Sequence, residues 1–223
     1  MNRALLRACG LVALFGTSCS NRQAEKRSSL DVPPSELRAN RRIASNGVSA
    51  VFDITLTTTA FESLAISSEE GFAVLVPGAK PARLTVYDDD RAIGLVESPA
   101  SFFFLQFVRP YGEERTAIEL PPPFTIEAPS QASRSAPLEL RWAPNESKPV
   151  TVQATAPCLP TPVQRALAKD RGSYTFPIGD LTVTSSTDTC AITFVVTRSR
   201  TAKDETGTTL TEQVRTVTVE TRP

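Results

Sequence analysis

The sequence predicts an all-β protein, and three observations carry that expectation. Apolar residues recur with a period of two, as where Phe52, Ile54 and Leu56 alternate with Asp53, Thr55 and Thr57; that spacing lines one face of a strand. Thr, Val and Pro are abundant, with 18 Pro against 10 Gly and a single Met, and prolines end strands and are poor inside long helices. The second half carries about seven short alternating segments in about 100 residues, the density of a β-sandwich. With 223 residues, 40% of them apolar, the chain is long enough for one large or two small domains with buried cores.

The first element is an address. Residues 1–18 place Arg3 and Arg7 ahead of a compact apolar stretch, Leu11 to Phe15, followed by small residues. This is a secretory signal pattern, far shorter than the roughly 20 residues a bilayer-spanning helix needs. Gly16-Thr17-Ser18-Cys19 resembles the lipobox of bacterial lipoprotein signal peptides. The family usually has Leu where Gly16 stands. Gly16 and Ser18 also satisfy an ordinary small-x-small cleavage rule, which would cut at the same bond. The resemblance implies cleavage before Cys19, a lipid on Cys19, and membrane attachment through it. Ser20, in place of the Asp that tends to retain such proteins at the inner membrane, implies the outer membrane in a diderm host. Cys9 then leaves with the signal and lipidation uses Cys19, so Cys158 and Cys190 remain as one pair, expected as a disulfide in an oxidising compartment. Closing that 32-residue loop is worth roughly 3–4 kcal/mol in the chain-entropy model.

Residues 19–46 are polar and almost free of apolar periodicity, and read as a lipidated N-terminus and flexible tether, about 30 Å long as a coil. A first β domain is expected over 47–120. Phe52 to Leu56 opens it; Leu84 and Val86, the turn Asp88-Asp89-Asp90, then Ile93 and Leu95 read as a hairpin. Phe102 to Phe107 reads as a strand buried on both sides, and Arg115 to Leu120 as one more. Pro121-Pro122-Pro123 removes three backbone donors and favours an extended boundary.

A second domain is expected over 121–223. Phe124 and Ile126 open it. Leu138, Leu140 and Trp142 alternate with Glu139 and Arg141; Val150, Val152 and Ala154 follow. Pro162 to Asp170 reads as a short helix. Tyr174, Phe176 and Ile178 alternate again, followed by Leu181 and Val183. Cys190, Ile192, Phe194 and Val196 share a face of a long strand, and Val217 and Val219 close the domain. Arg215 has their parity, which calls for a bulge or strand end there. Leu138-x-Leu140-x-Trp142, the two cysteines and the last strand pair resemble immunoglobulin-like domains of bacterial envelope lipoproteins. The expected fold is therefore one or two immunoglobulin-like antiparallel β-sandwich domains after a signal peptide and tether. The cysteine separation is shorter than that of the usual intersheet pair.

Composition excludes several functions. Lys+Arg and Asp+Glu are both 24. Removing residues 1–18 leaves 22 bases against 24 acids, with no clustered basic excess for nucleic acid. The chain has no histidine, which excludes Ser-His-Asp and Cys-His catalysis and the commonest ligand of zinc and copper. No cofactor and no metal site are expected. Asp88-Asp89-Asp90 does not follow the spacing of an EF-hand calcium loop and reads as a solvated hairpin tip. Glu69-Glu70 and Glu113-Glu114 read as loop-borne charge, because neighbours on a strand face opposite ways. Phe102, Phe103 and Phe104 read as core, but become an interaction patch if one of them faces water. Lys203 to Gly207 reads as a hairpin tip and candidate contact loop. Asn145-Glu146-Ser147 matches a glycosylation acceptor, discounted with a bacterial signal. The functional expectation is a non-enzymatic envelope lipoprotein whose partners are the membrane, through its lipid, and an envelope protein or glycan. The alternatives are a carboxylate-dependent glycan hydrolase on a β-sandwich or a structural subunit of a surface assembly.

Overall fold

The computed structural model describes residues 26–87, 89–144, 149–183 and 189–223. The signal segment, Cys19, Asp88 and the Asn145-Glu146-Ser147 acceptor lie outside them.

Among the described residues, a single-turn 3₁₀ segment η1 (Ser29–Asp31) precedes sixteen strands. The first eight are β1 (Leu37–Ser45), β2 (Ser49–Thr58), β3 (Gly71–Leu75), β4 (Ala82–Arg83), β5 (Thr85–Tyr87), β6 (Arg91–Glu97), β7 (Phe102–Arg109) and β8 (Gly112–Glu119). The rest are β9 (Ile126–Glu127), β10 (Gln131–Ser133), β11 (Leu138–Trp142), β12 (Val150–Thr155), β13 (Val163–Leu167), β14 (Ser173–Phe176), β15 (Cys190–Asp204) and β16 (Gly207–Arg222). The protein is all-β, as its alternating pattern predicts.

Buried side chains form two clusters that divide at the three prolines. The first runs from Val32 to Leu120. It lies between β1, β2, β6 and β5 on one side and a sheet of order β4-β3-β7-β8 on the other. Phe52 and Phe103 meet edge-to-face across the two layers, 5.3 Å apart. The second runs from Phe124 to Val219. Its layers are β14-β11-β9 and β13-β12-β15-β16, with β10 added parallel to β16. This is an immunoglobulin-like arrangement: one layer holds the first, third and sixth strands of the unit, the other holds the remainder.

The hairpin β15–β16 belongs to both units. Its register is unbroken from Cys190↔Thr221 to Asp204↔Gly207. The Gly207–Gln213 half of β16 pairs in parallel with Ala39–Ser45 of β1, so a segment that sequence places in the second domain supplies a strand to the first. Its inward residues Thr209, Thr211 and Gln213 are buried but polar, which hid this role.

Four local expectations are corrected. The tether ends early: η1 and β1 occupy part of 19–46, with Leu37, Ala39, Arg41, Ile43 and Ser45 inward. A buried arginine within that alternation masks it. The short helix at Pro162–Asp170 is instead the edge strand β13, which satisfies the free edge of β12 from Val150↔Leu167 to Ala154↔Val163. β7 is buried on one face only. Arg215 needs no bulge. It stands opposite Val196 in continuous register, its guanidinium over the Phe124 ring at 5.5 Å and donating through Nε to the Phe124 carbonyl at 2.8 Å.

The junction is pinned by Arg198, 1% exposed. Its Nε donates to Asp170 Oδ2 at 2.6 Å, Nη1 to Pro122 O at 3.1 Å and Nη2 to Ala143 O. Its guanidinium lies 4.3 Å from the Phe124 ring centre on the linker. Asp170 in turn accepts from Trp142 Nε1 at 2.6 Å and from the Gly172 amide at 3.0 Å. Cys158 and Cys190 form the disulfide expected from sequence, with Cα atoms 6.3 Å apart.

Candidate interaction face

Strand β7 builds the face. Phe103, Leu105 and Phe107 point into the first core. Phe102, Phe104 and Val108 point out and are 39%, 37% and 42% exposed. Register sets their neighbours: Phe104 stands between Leu75 of β3 and Ala117 of β8, and Val108 between Gly71 and Glu113. Ala117 beside Phe104 and Gly71 beside Val108 are too small to cover this face.

Charge rings this apolar centre. Glu113 accepts from Arg115 Nη2 at 2.8 Å and from Gln106. Glu119, opposite Phe102, accepts from Arg200 Nη1 at 2.8 Å. An aromatic centre with a paired, solvated rim is the composition of a protein-binding patch. The two rings meet edge-to-face, 5.0 Å apart at 87°, so they offer no coplanar platform for a sugar ring.

The carboxylate pairs do not assemble a reaction centre. Glu70, expected to be solvated, has a side chain 0% exposed. Its Oε1 accepts from Arg109 Nε at 3.0 Å, and its Oε2 from Ser29 Oγ and the Ser67 amide. Arg109 also donates to the Ser29 carbonyl at 2.9 Å. Glu70 thus ties β7 and the N-terminal segment together, and both its oxygens are committed. Glu113 and Glu114 stand on the exposed hairpin β7–β8. Among the described residues no three His, Cys, Asp or Glu side chains gather as a metal site.

Asp90, of the predicted hairpin tip, accepts from Lys26 Nζ at 2.5 Å and from Ser63 Oγ at 3.0 Å. The Lys26 hydrogen bond holds its carboxyl below the usual carboxylate value. The tip at Lys203–Gly207 is folded against β1: Ala39 N donates to Thr206 O at 2.8 Å, and Arg41 donates to Thr206 Oγ1 at 2.7 Å. Burial lowers the Arg41 pKa, with Asp204 and Glu114 opposing. The tip is thus held on β1 at Thr206, while Lys203, Asp204 and Glu205 stay exposed. An open groove of about 670 Å³ runs between Leu30–Pro34 and the β7–β8 turn, with Tyr111 and Glu113 on its rim. Sequence reading missed it, because the segment on one side reads as tether.

No family model matches the chain, and no curated protein matches it. Among solved structures, it is similar to the human OSCAR ligand-binding domain at 11% identity, over 81% of this chain and 98% of that one, with a TM-score of 0.27. It is similar to a two-domain fibronectin type-III segment of chicken tenascin at 9% identity, over 84% and 99%, TM-score 0.27. It is also similar to a tetra-tandem repeat from the extending region of a large adhesion protein at 12% identity, over 82% and 49%, TM-score 0.30. These likenesses carry no information about the site.

Proposed function

We propose that the chain is a non-enzymatic lipoprotein of the bacterial cell envelope, anchored at the outer membrane by lipid on Cys19, whose first sandwich binds another envelope protein. The observation that carries this reading is the Phe102–Phe104 face. Two phenylalanines one step apart in period are turned to water on a four-stranded sheet, where a monomer gains nothing by exposing them. Their edge-to-face geometry favours a protein over a glycan. The sequestered Glu70 and the missing histidine weigh against the hydrolase alternative. No cofactor, metal or nucleic acid enters this reading.

The test places a photo-crosslinking side chain at Ala117, beside Phe104, in cells. The expected result is one discrete polypeptide adduct, lost on adding Phe104→Ser and absent with the crosslinker at exposed Thr218 of the second unit. A glycan adduct, or a protein adduct indifferent to Phe104→Ser, overturns the proposal.

A further inference from the structure

We infer that the end of the first sandwich carrying Phe61, Tyr87 and Tyr111 is a membrane-contact surface, seated in the headgroup layer of the bilayer that holds the Cys19 lipid. This rests on the lipoprotein reading and goes beyond it.

The chain is docked from Lys26 onward. Lys26 pairs with Asp90, the Ala65 amide donates to the Arg27 carbonyl at 2.9 Å, and Ser29 N donates to Ala65 O at 2.8 Å. Seven Cα–Cα steps separate Cys19 from Lys26. At full stretch they reach about 25 Å, against roughly 95 Å had the chain stayed free to residue 47. The lipid therefore holds one particular end of the molecule close to the bilayer, the end at which Lys26 lies.

Hydrogen bonding fixes which loops share that end. The Phe61 turn follows β2, its amide donating to Thr58 O at 2.9 Å. Tyr87 stands opposite Arg91, which pairs with Thr55 near the same end of β2; the intervening turn holds Asp90, the partner of Lys26. Tyr111 sits in the β7–β8 turn, beside Arg109, which donates to the carbonyls of Ser29 and Val32. Phe61 is 86% exposed, Tyr87 58% and Tyr111 91%. Phe61 also holds φ at 64°, a left-handed conformation uncommon for a bulky residue, which presents its ring at a loop tip. Aromatic side chains partition to the bilayer interface, where an apolar ring body meets a hydrated rim.

Charge does not supply the attraction. Lys26 and Arg27 share this end with Glu62, Asp89, Glu113 and Glu114, an excess of acids that anionic headgroups would repel. The contact is therefore apolar: on zwitterionic lipid it is indifferent to salt, and anionic lipid does not strengthen it.

The test uses the acylated full-length protein in phosphatidylcholine vesicles with bromine on the acyl chains. It compares Phe61→Trp, Tyr111→Trp and, on the second unit, Ile178→Trp, over the constant background of buried Trp142. The expected result is co-flotation with vesicles, and bromine quenching at the first two positions exceeding that at the third by about twofold or more, unchanged in high salt. Flotation with equal quenching at all three positions overturns the inference and leaves the anchor standing. Quenching only on anionic vesicles at low salt overturns the apolar mode of contact. A protein that fails to float removes the Cys19 anchor, and the inference with it.

Discussion

Replacing Arg198 by Met probes what holds the proline linker to the second sandwich. The wild-type side chain is 2% exposed and its partner Asp170 is 0% exposed. Met keeps much of the aliphatic volume but removes the donor to Asp170 and those to Pro122 O and Ala143 O. Asp170 keeps its bonds from Trp142 and Gly172 but loses its ion-pair partner inside the core. Breaking one side of such a buried pair costs about 3–5 kcal/mol. For a cooperative unit of this size that is a fall in melting temperature of about 6–20 °C. Thermal unfolding followed by circular dichroism, with the disulfide intact, reads it. Adding Asp170→Asn to Arg198→Met removes the stranded charge while keeping an oxygen for Trp142 Nε1, so the double variant recovers part of the loss. A single-variant cost under about 1 kcal/mol, the scale of an exposed pair, or no recovery in the double variant, refutes the role assigned to this pair.

Further outcomes follow from other contacts. Removing the disulfide with Cys158→Ala and Cys190→Ala costs roughly 3–4 kcal/mol in urea titration, because a 32-residue loop is released in the unfolded chain. Gly207→Ala costs about 1–3 kcal/mol, since Gly207 holds φ at +136° with Ala39 backbone where a Cβ would go; hydrogen exchange rises first in β1 and the hairpin tip. The docked N-terminal segment responds to acid. Asp90 has a folded pKa below its ordinary 3.8, so its contribution is complete above that value and is lost as pH falls through the lower, folded one. Exchange of the Ala65 amide, which donates to Arg27 O, accelerates there, and Asp90→Asn reproduces the acceleration at neutral pH.

Much of the architecture was legible because its strands are half-buried. Leu138, Leu140 and Trp142, or Cys190 through Val196, alternate as apolar and polar residues, and the three prolines mark the division between clusters. What escaped was written in polar letters. β1 puts Arg41 on its inward face, and the distal half of β16 puts Thr209, Thr211 and Gln213 on its own. Period-two hydrophobicity is interrupted at Arg41 in β1 and has no signal in that half of β16, although both are inward-facing strands of the first unit. β13 is an exposed edge whose sequence does not oppose a helix; only the pairing partner decides. The interaction face was half legible. Three consecutive phenylalanines in a strand cannot all face inward, because alternate side chains take opposite faces, and that rule alone turns Phe102 and Phe104 together. Glu70 reads as solvated because its partners, Arg109 and Ser29, are 39 and 41 positions away.

The most direct test of the central claim, a lipid-anchored β-sandwich protein of the envelope, is the intact mass of the mature chain purified from native membranes, before and after reduction. The account predicts a chain beginning at Cys19 that carries added acyl mass and gains two hydrogens when the Cys158–Cys190 bond is reduced. An unmodified chain recovered from the soluble fraction contradicts it.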